Sequence, residues 1–169
     1  MKTALKITLF SIIISSCQLF VPKPQSERFY CKIDGKSFRP DNGGDVFFEP
    51  LLAQYNENSN VFYISVHTKD ETSINIGTKF KNFKDFREKK YLVSEEFNAT
   101  YFGKYIEING NTTVNERFET YLNSGYIEFT KIDTLKQIVS GVFEFKVKSV
   151  ETDKIINIKN GQFNDVFYY

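Results

Sequence analysis

The sequence predicts an all-β domain, an antiparallel sandwich or open barrel of about eight to ten strands with one short helix near residues 82–90. Three observations lead to this prediction. The chain of 169 residues contains 18 Phe and 10 Tyr but no Trp, and aromatic side chains, like β-branched ones, fit a pleated, half-buried surface. Apolar residues alternate with polar ones in successive segments, whereas helical periodicity occurs once. Gly, Asn and Asp separate these segments, which is typical of tight turns.

The first two strands are predicted to form a hairpin. Phe29, Cys31 and Ile33 alternate before Asp34-Gly35, a residue pair that favours a two-residue type I′ turn. Residues 36–38 begin the return strand. The place of Cys31 within this alternation indicates a small buried apolar residue rather than a reactive thiol.

The remaining strands follow residues 41–60, which we interpret as a loop. Residues 61–68 alternate cleanly, with Phe62, Ile64 and Val66 on the apolar side and Tyr63, Ser65 and His67 on the polar side. In residues 100–108 the same pattern puts Phe102 and Ile106 inward. Further strands are predicted at residues 73–80, 117–122, 125–132, 140–150 and 154–169.

Residues 82–90 carry the single helical pattern. Asn82 can cap a helix, Asp85 lies three residues further on, and Phe83 and Phe86 share a helical face. We expect a short helix that plugs one end of the sandwich or barrel. Core packing explains the two phenylalanines better than a ligand contact, because burying each one stabilises the fold by about 1.5–3 kcal/mol.

The amino-terminal residues have the features of an export signal with a lipid attachment site. Two lysines precede an apolar stretch, residues 7–14, that is too short to span a bilayer. The following Ile14-Ser15-Ser16-Cys17 resembles the lipobox of bacterial lipoproteins, in which the cysteine receives a diacylglycerol and the chain is cut just before it. This resemblance implies lipidation of Cys17. The alternatives are a buried strand with Cys17 as a core thiol, and a Cys17–Cys31 disulfide, which acylation would exclude.

These features predict three segments of chain. Residues 1–16 are a lipoprotein signal peptide, residues 17–27 are the lipidated cysteine and an extended tether, and residues 28–169 are a single β domain. Pro22 and Pro24 within the second segment favour an extended backbone.

Three motifs built from turn glycines and core aromatics occur along the chain. They are F-x-x-x-I-D-G-K-x-F at Phe29–Phe38, S-G-x-F-x-F at Ser140–Phe145 and I-x-N-G-x-F at Ile158–Phe163. Together with the lipobox, they resemble a family of uncharacterised Bacteroidota cell-envelope lipoproteins with a domain of unknown function. The resemblance implies the fold and a lipid anchor in the cell envelope, at the periplasmic or surface face of the outer membrane. It implies no catalytic or binding residue.

Composition argues against several classes of function. His67 is the one histidine, so a zinc site of the usual type is not expected, and the sequence has neither a nucleophile-elbow motif nor a phosphate-binding loop. Residues 41–45, Asp-Asn-Gly-Gly-Asp, could offer oxygen ligands to calcium but are interpreted as a turn. Lys and Arg number 22 against 21 Asp and Glu, which argues against a nucleic-acid partner. We therefore expect no cofactor and no metal, and no enzyme activity is indicated.

One modification site is predicted within the domain. Asp133-Thr134-Leu135 lies in a predicted exposed turn and resembles the Asp-Thr-aliphatic acceptor for O-glycans in Bacteroidota. This resemblance implies glycosylation of Thr134. A chance match is the alternative, because three-residue patterns are common.

Three functions are compatible with the sequence. The leading hypothesis is a lipid-anchored module that binds an envelope protein or glycan through tyrosines such as Tyr63, Tyr101 and Tyr105 or through residues 41–60, since tyrosine offers contact area and a hydroxyl. The second is a carrier of one small apolar ligand inside a closed β-barrel. The third is an envelope hydrolase.

Overall fold

The computed structural model describes residues 24–44, 49–69, 72–93, 97–106 and 113–169, with the backbone alone for residues 97–106 and 113–116. Among these residues, the short helix α1 (Gln25–Arg28) directly precedes the first strand. The strands are β1 (Phe29–Ile33), β2 (Lys36–Phe38), β3 (Leu51–Asn56), β4 (Val61–His67), β5 (Ser73–Lys79), β6 (Lys90–Leu92), β7 (Phe97–Ile106), β8 (Thr113–Thr120), β9 (Tyr126–Asp133), β10 (Ile138–Ser149) and β11 (Ile155–Phe167).

In the part of the chain that the structure describes, eleven strands form one antiparallel sheet that is folded into two layers. Its order is β2-β1-β11-β10-β8-β7-β5-β4-β3, while β9 also pairs with β10, and β6 with β9. Residues 138–144 of β10 pair with β9, and residues 147–149 pair with β8 on the same side of the strand. β10 is therefore shared between a first layer, β6-β9-β10-β11-β1-β2, and a second layer, β10-β8-β7-β5-β4-β3. The all-β fold predicted from the sequence is confirmed as an open sandwich, with one strand more among the described residues than the expected range.

Aromatic side chains fill the space between the two layers. Phe62 of β4 meets Phe129 of β9 edge to face, with ring centroids 5.4 Å apart. Phe129 in turn contacts Phe163 of β11 at 5.8 Å, and Phe143 of β10 contacts Phe29 of β1 at 5.4 Å. All five rings are buried, and such pairs stabilise a core by about 0.5–1.5 kcal/mol beyond the burial of their area.

The β1–β2 hairpin has the predicted turn. Asp34 and Gly35 both have positive φ, 46° and 85°, which the type I′ geometry requires. The Asp34 carboxylate also accepts hydrogen bonds from the backbone and side-chain nitrogens of Asn157 at 2.9 and 3.1 Å. The hairpin is thereby fixed to the start of β11, and Cys31 within it is buried as expected.

The glycines of two sequence motifs lie opposite phenylalanines in the sheet. Gly141 of β10 pairs with Phe163 of β11, and Phe143 of β10 pairs with Gly161 of β11. A Cβ atom at either glycine would lie 2.4 Å from a ring carbon of its partner. Each glycine therefore leaves room for a core ring to lie flat on the neighbouring backbone.

Three elements differ from the sequence predictions, and one of them is β6 (Lys90–Leu92), which was not predicted as a strand. The interpretation of residues 41–60 as a loop is wrong for Leu51–Asn56, which form β3 with Leu51, Ala53 and Tyr55 buried in alternation. The helix predicted near residues 82–90 is a 3-10 turn, Phe83–Asp85. Its predicted cap is confirmed, since the Asn82 side chain accepts a hydrogen bond from the Lys84 backbone N–H at 3.0 Å.

Of the two phenylalanines at this turn, Phe86 lies in the core and Phe83 lies at the surface. Phe86 follows the turn in extended backbone and is buried, with Phe62 stacked on it at 5.0 Å and Phe129 against it at 5.4 Å. Phe83 is 46% exposed. The predicted plug is therefore made by Phe86, with Phe80 and Tyr91 beside it.

The amino-terminal predictions fall largely outside the described residues. The signal segment 1–16 and Cys17 are not among them, while Gln25–Arg28, at the end of the predicted tether, form α1. Within the described part of the chain, no helix has the length and apolar character needed to cross a bilayer.

Candidate functional site

A row of polar side chains crosses the outer surface of β3, β4 and β5. Along β4, the apolar residues turn inward, and Tyr63, Ser65 and His67 therefore lie on the outward side. The register pairs Tyr63 with Gln54 of β3 and Ser65 with Asn75 of β5. Directly paired residues of antiparallel strands share a face. These five residues, Gln54, Tyr63, Ser65, His67 and Asn75, are called the polar row below.

Hydrogen bonds fix the orientation of each side chain in the polar row. The Tyr63 hydroxyl donates to Gln54 Oε1, and the Ser65 hydroxyl donates to Asn75 Oδ1. Ser65 Oγ also lies 2.8 Å from His67 Nε2. Because two neighbours cover it, Ser65 is only 8% exposed although it belongs to the outer surface.

Ser65 joins two other side chains of the polar row. Its hydroxyl donates to Asn75 Oδ1, and its oxygen lies within hydrogen-bond distance of His67 Nε2, where the tautomer of the imidazole sets which atom donates. When the hydroxyl proton is on the Asn75 side, Nε2 donates to Ser65 Oγ, and the contact holds the imidazole in place.

The polar row carries no formal charge at neutral pH. Burial lowers the pKa of His67 below its usual value, which favours the neutral imidazole. The other four side chains are amides or hydroxyls. A surface of this kind offers several directed hydrogen-bond groups and one phenol ring to a ligand without selecting for ligand charge.

Of the tyrosines that the sequence suggested as one contact surface, Tyr63 belongs to the polar row. The side chains of Tyr101 and Tyr105 in β7, like that of Phe102, lie outside the described residues, and the register gives only backbone partners, Ile74 for Tyr101 and Ser73 for Phe102. The expected inward position of Phe102 stays a prediction. Gln54 and Asn75 were not singled out from the sequence, because the strand pairing that brings them beside β4 has no local sequence signal.

Of the two predicted modification sites, Thr134 and Cys17, the structure describes Thr134. Thr134 lies in an exposed turn between β9 and β10, where Asp133 Oδ1 accepts hydrogen bonds from the backbone N–H groups of Leu135 and Lys136 at 3.1 and 2.9 Å. Leu135 is 97% exposed, so the turn is accessible. Glycosylation of Thr134 stays a prediction, as does lipidation of Cys17, which lies outside the described residues.

Residues 41–44 use their side chains to form the predicted turn. Asp41 Oδ1 accepts a hydrogen bond from the Gly43 backbone N–H, and Asn42 Oδ1 accepts one from Gly44. In the part of the chain with described side chains, no group of three or more His, Cys, Asp or Glu residues could hold a metal ion. Beside this turn, an open groove of about 710 Å³ carries Lys36, Arg39 and Lys69 together with acidic residues, a mixture that favours no ligand charge.

The comparisons with known proteins add no relative. The chain matches no protein-family model, no curated protein and no solved structure. The resemblance to Bacteroidota envelope lipoproteins stays a prediction, based on the lipobox and the three glycine and aromatic motifs.

Proposed function

We propose that this chain is a cell-envelope lipoprotein, anchored to a membrane by a lipid on Cys17, whose β domain binds a glycan through the polar row. The lipobox Ile14–Cys17 supports the anchor. The single observation that supports binding is the polar row itself: five neutral side chains on one surface, held in place by hydrogen bonds before any ligand arrives. Such preorganisation lowers the entropy lost on binding.

The chemistry of the polar row favours a saccharide over a charged ligand. A sugar presents hydroxyl groups that pair with amide and imidazole groups, and an apolar ring face that packs on a phenol ring. Amide oxygens and nitrogens of Gln54 and Asn75 have hydrogen-bonding capacity beyond the single bond that each makes within the row. An envelope protein is the competing ligand, and the test below distinguishes the two.

Within the described residues, less supports the carrier and the hydrolase than supports the binding module. A carrier needs a cavity between the layers, where the rings of Phe62, Phe86 and Phe129 pack at centroid distances of 5.0–5.4 Å. A serine hydrolase needs the Ser65 hydroxyl to donate to His67, whereas that hydroxyl donates to Asn75 Oδ1.

Glycan binding is tested with the full-length protein in detergent, applied to an array of bacterial envelope glycans and then titrated calorimetrically with each glycan retained. We expect Tyr63→Ala and Asn75→Ala each to weaken binding about tenfold through loss of a ring contact or hydrogen bonds. Tyr30→Ala is the matched control, because Tyr30 lies on the outer side of the first layer, beneath the Arg39 guanidinium. Equal weakening by all three variants would contradict the polar row as the binding site.

A second result would identify the ligand as a protein instead of a glycan. In that case no glycan is retained, an envelope protein is captured specifically, and Tyr63→Ala abolishes the capture.

The anchor is tested separately. The intact mass of the protein from its native host should begin at Cys17 with an added diacylglycerol, and the protein should enter the detergent phase of a Triton X-114 partition.

A further inference from the structure

The predicted tether confines one end of the domain to the neighbourhood of the membrane. Only six residues of chain separate Cys17 from Pro24, which directly precedes α1, so seven Cα–Cα steps join the two residues. A fully extended chain of this length spans at most about 25 Å. If Cys17 is lipidated, α1 and the residues packed on it must therefore stay within this distance of the bilayer.

Two exposed aromatic side chains lie beside α1 at this end. The last residues of the chain alternate, with Val166 and Tyr168 buried, so Phe167 and Tyr169 face outward. Phe167 is 53% exposed and Tyr169 is 61% exposed. The guanidinium of Arg28, from α1, lies over the Phe167 ring at 5.0 Å. A shallow depression of about 260 Å³ extends this surface to Leu52 of β3.

The composition of this surface matches the headgroup region of a bilayer. Aromatic residues with a polar end, such as tyrosine, concentrate at the membrane–water interface. An arginine extends its apolar stem along hydrophobic surface while its charged end stays in the polar layer. Glu27 in α1 and Glu49 at the rim of the depression offset the charge of Arg28, so attraction to anionic lipid would contribute little.

We propose that Phe167, Tyr169 and Arg28 form a membrane-docking surface that inserts into the headgroup region of the bilayer to which Cys17 is attached. This inference rests on the proposed lipid anchor. The domain then has a fixed orientation on the membrane instead of rotating freely on its tether. The carboxyl-terminal end of β11 faces the lipid, and the turn between β10 and β11 points away from it.

Single tryptophans test the proposal, because the chain has none of its own. Phe167→Trp places a fluorophore in the docking surface. Val150→Trp is the matched control, because Val150 is 58% exposed and lies at the other end of β10. Val150 directly follows the last residue of this strand, whereas Phe167 pairs with its first residue, Ile138. Each full-length lipidated variant is reconstituted into phosphatidylcholine vesicles with and without brominated acyl chains.

Docking predicts a blue-shifted emission from Trp at position 167 that brominated lipid quenches about twofold or more, since interfacial groups lie about 5–10 Å into the headgroup and acyl boundary. Emission from position 150 should be unchanged. Neither 0.5 M NaCl nor added phosphatidylglycerol should alter the quenching, because the surface has little net charge. Tyr169→Trp repeats the measurement should Phe167→Trp fail to fold.

The outcomes separate the docking surface from the anchor. If both variants float with the vesicles but are quenched equally, the anchor stands and the docking surface is refuted. If neither variant floats, the lipid anchor itself is refuted. The tryptophan emission at position 167 can also be equally blue-shifted in detergent and in vesicles. If a cross-linked dimer then appears, a second copy of the chain covers this surface and membrane docking is refuted.

Discussion

Replacing Phe86 with alanine tests how far the fold depends on the plug between the two layers. The Phe86 ring is buried and lies against Phe62 at 5.0 Å, Phe129 at 5.4 Å and Tyr168 at 5.8 Å, residues that come from three different strands or strand ends. Truncating a buried phenylalanine to alanine costs about 3–5 kcal/mol, because the rings around the cavity cannot fully collapse.

The neighbouring Phe83 is the matched control. It is the same residue type, three positions earlier, but 46% exposed. We expect Phe83→Ala to cost about 1 kcal/mol, since roughly half of its area is already in water and no closed cavity forms. A total stability of about 5–15 kcal/mol is usual for a domain, so Phe86→Ala should remove a large share of it.

Urea unfolding followed by circular dichroism measures both variants. The midpoint should move far more for Phe86→Ala than for Phe83→Ala, with similar slopes if both unfold in two states. In thermal unfolding, the loss at Phe86 corresponds to a fall of about 6–20 °C. Similar losses for the two variants, or a loss below about 1 kcal/mol at Phe86, would show that the ring cluster does not hold the layers together.

Three further predictions follow from single residues. Gly161→Ala should destabilise the protein by about 1–3 kcal/mol in urea unfolding, because the new methyl group would overlap the Phe143 ring; an unchanged midpoint would contradict the close approach. The lowered pKa of His67 means that the folded state binds fewer protons than the unfolded state, so stability should fall as pH drops below about 6.5; His67→Gln should show a smaller fall between pH 7.5 and 5.5, and an identical fall would refute this role. Burial raises the pKa of Cys31 to about 12, so Ellman's reagent should detect no thiol in the folded lipoprotein and one after denaturation, whereas two would show that Cys17 is not acylated.

Most of the architecture could be predicted from period-two alternation, and the exceptions have physical causes. In β3 the alternation Leu51, Ala53, Tyr55 is present but weak, because alanine contributes little hydrophobic signal, and the glycine-rich turn before it suggested a longer loop. In β7, Tyr101 and Phe102 are adjacent aromatics. A shift of one residue exchanges the two faces of a strand, so alternation alone does not set which of the two is expected to face the core.

The polar row could be predicted only in part. Alternation along β4 places Tyr63, Ser65 and His67 on one surface, and the structure agrees. Their partners Gln54 and Asn75 lie on other strands, and the register that brings them together depends on the whole β3-β4-β5 arrangement. The hydrogen bond from Ser65 likewise requires the position of Asn75.

The twelve-residue strand β10 is a single stretch of backbone that belongs to both layers. Because residues 138–144 pair with β9 of the first layer and residues 147–149 pair with β8 of the second, a cut near residue 145 would sever the covalent link between these two pairings. A pair of fragments divided there should fail to reassemble. Fragments divided at the exposed turn after β10 keep this strand whole and should complement each other when mixed.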